Sequence, residues 1–98
     1  MELSIKACQQ LGVQTASFLA YLKNVYDSSV ELGEISPSEG VEIQRKEFVE
    51  TFNFSHNSQI RYERQLEDAK LVTITTNRGS GRGNLYKLNV SAINKLYA

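Results

Sequence analysis

The sequence predicts a single α+β domain in which a helical core supports a small antiparallel β-hairpin. Apolar residues recur at helical spacing through much of residues 1–69. Two later segments, 71–77 and 85–89, alternate apolar and polar residues and are separated by a glycine-rich stretch. A chain of 98 residues is long enough for one domain with a modest hydrophobic core.

The first part of the chain is predicted to be mainly helical. A short first helix is expected to end near Gly12, because glycine suits the position that follows a helix. A longer helix is predicted over residues 13–29, and an acidic loop with two glycines and the only proline follows over residues 30–40. Leu3, Cys8 and Leu11 suggest the first helix, and the second is expected to carry Phe18, Leu22, Val25 and Tyr26 on one face with Leu19 beside them.

A strand and two further helices are predicted in the middle of the chain. Alternation predicts a short strand over residues 41–44, and a helix of about two turns follows over residues 45–52. The turn-rich link 53–55 leads into a helix over about residues 56–69, and Ser55 is expected to cap it by accepting a backbone hydrogen bond. The apolar stripe of that helix consists of Tyr62, Leu66 and Ala69.

Residues 71–89 are predicted to form the β-hairpin. Val72 and Ile74 share one face of its first strand, and Tyr86 and Leu88 share one face of its second strand. The connecting loop contains glycines that are expected to allow positive φ, namely Gly79, Gly81 and Gly83.

Charge is distributed unevenly along a chain whose formal net charge is zero. Residues 1–54 hold eight acidic and four basic residues, whereas residues 55–98 hold three acidic and seven basic residues. The C-terminal part therefore carries the positive charge that would face an anionic partner.

The cysteine content and hydropathy of the chain indicate which cellular compartment to expect. A lone cysteine, Cys8, cannot form an intramolecular disulfide, and a reducing compartment is the simpler expectation. The first thirty residues do not resemble a signal peptide, and no segment approaches the roughly 18 consecutive apolar residues of a membrane span. We therefore expect a soluble cytoplasmic protein with no membrane partner.

Two segments have local sequence patterns that are known from a family of DNA-binding domains. Residues 66–72, LEDAKLV, place a leucine and a short acidic turn before an apolar opening of the hairpin, and residues 83–88 read GNLYKL. Together with the predicted order of elements, residues 41–89 resemble the winged helix-turn-helix domain of transcriptional regulators and of phage or plasmid replication proteins. The resemblance implies a recognition helix over about residues 56–69 and a wing over about residues 71–89.

Three residues depart from the family pattern. Lys70 stands where such families usually have glycine before the hairpin, and Glu63 stands one turn before Leu66 where an apolar residue is usual. Ile60 falls outside the apolar stripe of the helix, and we expect it to contact the preceding short helix.

The recognition helix and the wing carry the candidate DNA-binding residues. Asn and Gln side chains can read adenine, and Arg can read guanine, in the major groove. Basic residues in a glycine-rich wing can neutralise phosphates or enter a narrow minor groove. The alternative interpretation is an ordinary solvated helix face and a solubilising hairpin. The candidate residues are His56, Asn57, Ser58, Gln59, Arg61, Arg64, Arg78, Ser80, Arg82 and Lys87.

The sequence offers no specific sign of catalysis, a metal site or a cofactor. His56 is the only histidine, and no spacing of cysteine, histidine and carboxylates suggests metal ligands. The glycines of the hairpin lack the Gly-Lys-Ser/Thr of a phosphate-binding loop. Glu63 and Glu67 could act as paired carboxylates, but we expect them to form a solvated helix face with surface pairing such as Glu63–Lys70.

The function predicted from these patterns is sequence-specific binding of double-stranded DNA without catalysis, in transcription regulation or replication initiation. The competing hypothesis is a winged helix that serves as a protein-interaction or assembly module. It draws on the neutral total charge and on the apolar segment 90–97, predicted as a closing helix or an interface. That segment could also form a homodimer through Ile93, Leu96 and Tyr97.

Overall fold

A computed structural model describes residues 1–76 and 83–98 of the protein and confirms the α+β class. The described residues form five helices and a three-stranded antiparallel sheet. The predicted elements are all present, with bounds that differ by one or two residues at several ends. The elements in order are α1 (Ile5–Leu11), α2 (Val13–Glu31), β1 (Val41–Ile43), α3 (Arg45–Phe52), α4 (His56–Asp68), β2 (Val72–Thr75), β3 (Asn84–Leu88) and α5 (Val90–Tyr97).

An aromatic cluster forms the centre of the core. The rings of Phe18 on α2 and Phe48 on α3 stack with centroids 4.3 Å apart. The ring of Tyr86 on β3 meets both of them edge-on at 6.1 Å. Aromatic pairs in these geometries add about 0.5–1.5 kcal/mol each beyond the area they bury. The cluster therefore fixes α2, α3 and the sheet around one point.

The sheet has the strand order β1-β3-β2, so the last strand lies between the other two. Val41 pairs with Tyr86 and Val72 pairs with Leu88. Alternate residues of β3 face the core, because successive side chains of a strand point to opposite sides. The buried residues of β3 are Asn84, Tyr86 and Leu88.

A tight corner joins α3 to α4. Asn53 ends α3 in the left-handed conformation, with φ 59° and ψ 30°, which asparagine tolerates better than most residues. The Ser55 hydroxyl oxygen accepts a hydrogen bond of 3.2 Å from the backbone N–H of Ser58. The predicted cap is therefore confirmed, and it satisfies one of the N–H groups that lack a partner at the start of α4.

Lys70 occupies a left-handed position at the end of α4. Its φ is 60°, and its backbone N–H donates to the carbonyl of Glu67 at 3.0 Å. The N–H of Leu71 donates to the carbonyl of Leu66 at 3.0 Å. These two bonds are the Schellman arrangement that usually takes glycine at this position. The geometry explains why glycine is the usual residue here, and Lys70 adopts it at a cost in backbone strain.

Gly83 has a steric role that the sequence did not predict. A Cβ atom on Gly83 would lie 2.4 Å from the backbone of Ile43. Glycine is therefore needed because the hairpin passes directly against the end of β1. Gly79 and Gly81 lie outside the described residues.

The C-terminal helix α5 packs within its own domain. Ile93 and Leu96 are buried, and the Ser4 hydroxyl donates to the carbonyl of Leu96 at 2.5 Å. The Tyr97 hydroxyl donates to the carbonyl of Glu2 at 3.1 Å. The prediction of a closing helix is confirmed. Because Ile93 and Leu96 already lie in the core, they are not available to a second copy of the chain.

Candidate nucleic-acid interface

Helix α4 has polar residues on both of its faces. Its buried face consists of Gln59, Tyr62, Glu63 and Leu66. The opposite face is exposed and contains Asn57, Ile60, Arg61 and Arg64, spaced as neighbours on one side of a helix. We call these four residues the exposed face of α4. One face of α4 is therefore anchored in the domain, while the opposite face is open to a partner.

Several polar side chains on the open side of α4 have no partner within residues 1–76 and 83–98. In that part of the chain, no side-chain hydrogen bond or ion pair involves His56, Asn57 or Arg64. Arg61 lies with its guanidinium carbon 5.5 Å from the centre of the Tyr62 ring, a cation–π contact that leaves its donors available. These side chains could hydrogen-bond to base edges or phosphate oxygens without breaking a bond inside the domain.

Ser58 serves the start of α4. It is half-buried, and its hydroxyl accepts a hydrogen bond of 3.0 Å from the Ser55 hydroxyl. Its backbone N–H is used by the cap described above. Ser58 therefore stabilises the first turn of α4, and contact with a partner would compete with that role.

Gln59 does not lie on the exposed face, which corrects its assignment as a DNA-reading residue. Its side chain is fully buried. The amide group donates to the carbonyl of Phe54 at 3.0 Å and to the carbonyl of Arg45 at 3.3 Å. Its oxygen accepts a hydrogen bond of 3.2 Å from the Arg45 guanidinium. Gln59 thus joins the first turn of α4 to the α3–α4 corner and to the start of α3.

Glu63 is buried, which corrects the expectation of a solvated carboxylate paired with Lys70. The Arg45 guanidinium donates to its two oxygens at 2.9 Å and 3.3 Å. The Tyr86 hydroxyl donates to it at 2.6 Å, and the Asn84 amide lies at 3.5 Å. A buried carboxylate is tolerated only when it is paired and hydrogen-bonded in this way. We call Arg45, Gln59, Glu63, Asn84 and Tyr86 the buried polar network.

The buried polar network keeps Tyr86 in its neutral form. Burial raises the pKa of Tyr86 far above its ordinary value of 10.0, and the hydrogen bond to the Glu63 carboxylate raises it further. The tyrosine therefore remains a proton donor to Glu63 throughout the physiological range. Because Arg45 is on α3, Glu63 on α4 and Tyr86 on β3, the network sets the orientation of α4 against the sheet.

A second set of hydrogen bonds joins α4 to the start of α2. The Tyr62 hydroxyl donates to the side-chain oxygen of Gln14 at 2.8 Å, and the Thr15 hydroxyl donates to Gln65. Gln14 and Thr15 are in the first turn of α2. The start of α2 therefore lies beside the exposed face of α4, with an open cleft between them that reaches Arg61.

The hairpin contributes one described candidate, Lys87. It is exposed on the outer face of the sheet, where it pairs across the strands with Thr73. The other candidates of the wing, Arg78, Ser80 and Arg82, lie outside the described residues. Their assignment to DNA contact stays a prediction from the sequence.

The sequence analysis did not predict that Arg45 and Tyr86 hold Glu63 and so help to orient α4. The available signal was Glu63, a charged residue at a position where the helix stripe calls for an apolar one. A charge at such a position implies a buried partner of opposite charge. The sequence did not show which of the basic residues would be that partner.

Over residues 1–76 and 83–98, no group of three or more His, Cys, Asp and Glu side chains could hold a metal ion. Within the same residues, no helix is both long enough and apolar enough to cross a membrane.

Comparisons with protein-family models, with curated proteins and with solved structures found no match to this chain.

Proposed function

We propose that the protein is a winged-helix domain that binds double-stranded DNA without catalysis, with α4 as the recognition helix. The order of elements supports this proposal, because a strand and a two-helix corner precede a hairpin whose second strand lies in the middle of the sheet. A short corner of Asn53, Phe54 and Ser55 joins α3 to α4, and two helices joined by a short turn are a feature of the helix-turn-helix motif. Such a domain would act in transcription regulation or replication initiation.

The observation that carries the proposal is the contrast between the two sides of α4. The buried side is tied to α2, α3 and β3, whereas the exposed face presents Asn57, Arg61 and Arg64. An α-helix fits the major groove, where asparagine pairs with adenine and arginine with guanine or phosphate. Base reading requires a helix whose orientation is fixed and whose polar side chains are exposed, and α4 combines hydrogen bonds on its buried face with such an exposed face.

The charge of the molecule is compatible with this role despite its neutral total. Lys70 and Lys87 are exposed in the same part of the chain as Arg61 and Arg64, and residues 55–98 include three acidic against seven basic residues. The acidic excess is in residues 1–54. DNA would therefore contact basic residues of α4 and of the hairpin, and binding would weaken as salt screens these contacts.

Selection of bound sequences from a random duplex pool tests the proposal. We expect a short motif to be enriched, with a length that fits one helix in one major groove. The selected duplex is then titrated with the wild type and with Arg64→Ala, and we expect about tenfold weaker binding for the variant. Lys95→Ala, which removes one positive charge from an exposed position on α5, is the matched control and should bind like the wild type.

Failure to enrich any motif, together with equal binding by Arg64→Ala and Lys95→Ala, would contradict recognition through α4. The alternative of a protein-binding winged helix drew on Ile93, Leu96 and Tyr97 of α5, of which Ile93 and Leu96 are buried and Tyr97 is half-buried. Size-exclusion chromatography with light scattering measures the oligomeric state directly, and a homodimer would have to use a surface other than Ile93 and Leu96.

A further inference from the structure

Ile60 is the apolar residue on the exposed face of α4. It follows Asn57 by three positions and precedes Arg64 by four, so the three side chains are surface neighbours on the helix. The residue is 39% exposed, so it is not part of the buried core. Its expected contact with the preceding short helix α3 stays a prediction.

A single exposed isoleucine needs no explanation on most protein surfaces. Ile60 is different because of its position: it lies between the polar side chains of Asn57 and Arg64 on the helix face proposed to enter the major groove. In that groove thymine is the base that presents a methyl group, and apolar side chains recognise it by contact. Asparagine one turn earlier suits adenine, so the two neighbours together favour A·T pairs.

We propose that Ile60 is a specificity-determining residue that reads thymine by packing its side chain on the C5-methyl group. This inference rests on the proposed function, since it assigns a base to the same helix face. Isoleucine is well suited to the contact, because its branched side chain has few conformations to lose.

The test compares thymine with deoxyuridine, which differs only by the absence of the C5-methyl group. Each thymine of the duplex selected by the wild type is replaced singly by deoxyuridine, and binding is measured for the wild type and for Ile60→Ala. At one position we expect the wild type to bind about three- to fivefold more weakly, the effect of losing one buried methyl group. At that position Ile60→Ala should bind thymine and deoxyuridine equally.

Val90→Ala is the matched control, because Val90 is a β-branched residue on α5 with a similar exposure of 38%. It should retain the full difference between thymine and deoxyuridine, as should Ile60→Val, which keeps both γ-carbons. Circular dichroism checks that Ile60→Ala is folded, as its exposed position predicts.

The possible failures are distinguishable. If the wild type binds no duplex, the proposed function fails and the inference fails with it. If the wild type binds a selected site but every deoxyuridine replacement affects it and Ile60→Ala equally, the role of Ile60 is refuted while DNA binding stands. A selected site without thymine would refute the role in the same way.

Discussion

The two faces of α4 both contain polar residues, but those on one face are buried and those on the other are exposed. Gln59 and Glu63 are buried and form hydrogen bonds with Arg45, Phe54 and Tyr86. Asn57 and Arg64, only a few positions away, are exposed and make no side-chain hydrogen bond or ion pair in the described part of the chain. The difference shows that polarity alone does not identify a binding residue, because a buried polar group must be satisfied inside the fold.

The comparison separates effects on stability from effects on binding. Substitutions on the buried side should lower the free energy of unfolding, since they leave partners without a hydrogen bond. Substitutions on the exposed face should change DNA binding and leave the free energy of unfolding nearly unchanged, as is usual for surface residues.

The largest effect is expected for Glu63→Ala. This change leaves the Arg45 guanidinium and the Tyr86 hydroxyl without their shared acceptor, and removing one partner of a buried ion pair costs about 3 kcal/mol. Urea denaturation followed by circular dichroism measures the loss. Asp68→Ala is the matched control, because it removes an exposed carboxylate from the same helix and should cost less than about 0.5 kcal/mol. Equal losses for the two variants would show that the network does not hold α4.

The second largest effect is expected for Gln59→Ala, which is compared with Asn57→Ala on the opposite face of the same helix. Gln59→Ala should lower the free energy of unfolding by about 2 kcal/mol, because the partly buried carbonyl groups of Phe54 and Arg45 lose their donor. Asn57→Ala should leave stability unchanged and weaken binding to the selected duplex by about tenfold. Denaturation and fluorescence anisotropy are measured on both variants. A reversed pattern, with Asn57 needed for stability, would overturn the division of α4 into two sides.

The smallest effect is expected for Tyr86→Phe, which removes one hydroxyl from the buried polar network. We expect a loss of about 1 kcal/mol at neutral pH. The pKa of Tyr86 is raised in the folded protein, so above its ordinary value of 10.0 the unfolded chain loses the phenolic proton first. Stability therefore falls as the pH rises past this value, and Tyr86→Phe should show a shallower fall. Identical alkaline profiles for the two proteins would contradict a buried, proton-donating Tyr86.

The helices and the core-facing residues of the hairpin strands could be predicted from the sequence, because periodicity reports which residues face the core. The bounds of α3 were predicted without error, and Tyr86 and Leu88 face the core as their alternation indicated. Glu63 was also noted as a departure, because winged-helix domains usually have an apolar residue one turn before the position of Leu66. Neither that resemblance nor periodicity can reveal contacts between residues far apart in the chain. Arg45 is 18 positions from Glu63, and only the packing of α3 on α4 brings them together.

The candidate interface was predicted less completely, since exposure depends on how α4 is turned toward the core. Asn57, Arg61 and Arg64 lie on the exposed face, whereas Gln59 does not. Ile60 and Lys70 are the instructive exceptions to the family pattern. Ile60 departs from the apolar stripe because it is on the open side of the helix, and Lys70 adopts a conformation that glycine usually supplies.

The most direct test of the central claim is the affinity of the wild-type protein for a mixed-sequence duplex, measured by fluorescence anisotropy over a range of salt concentrations. Three to five phosphate contacts from the α4 and hairpin side predict a plot of log affinity against log salt with a slope of about −3 to −4.5. Absence of binding at low salt, or an affinity that does not respond to salt, would contradict the claim that this domain binds DNA.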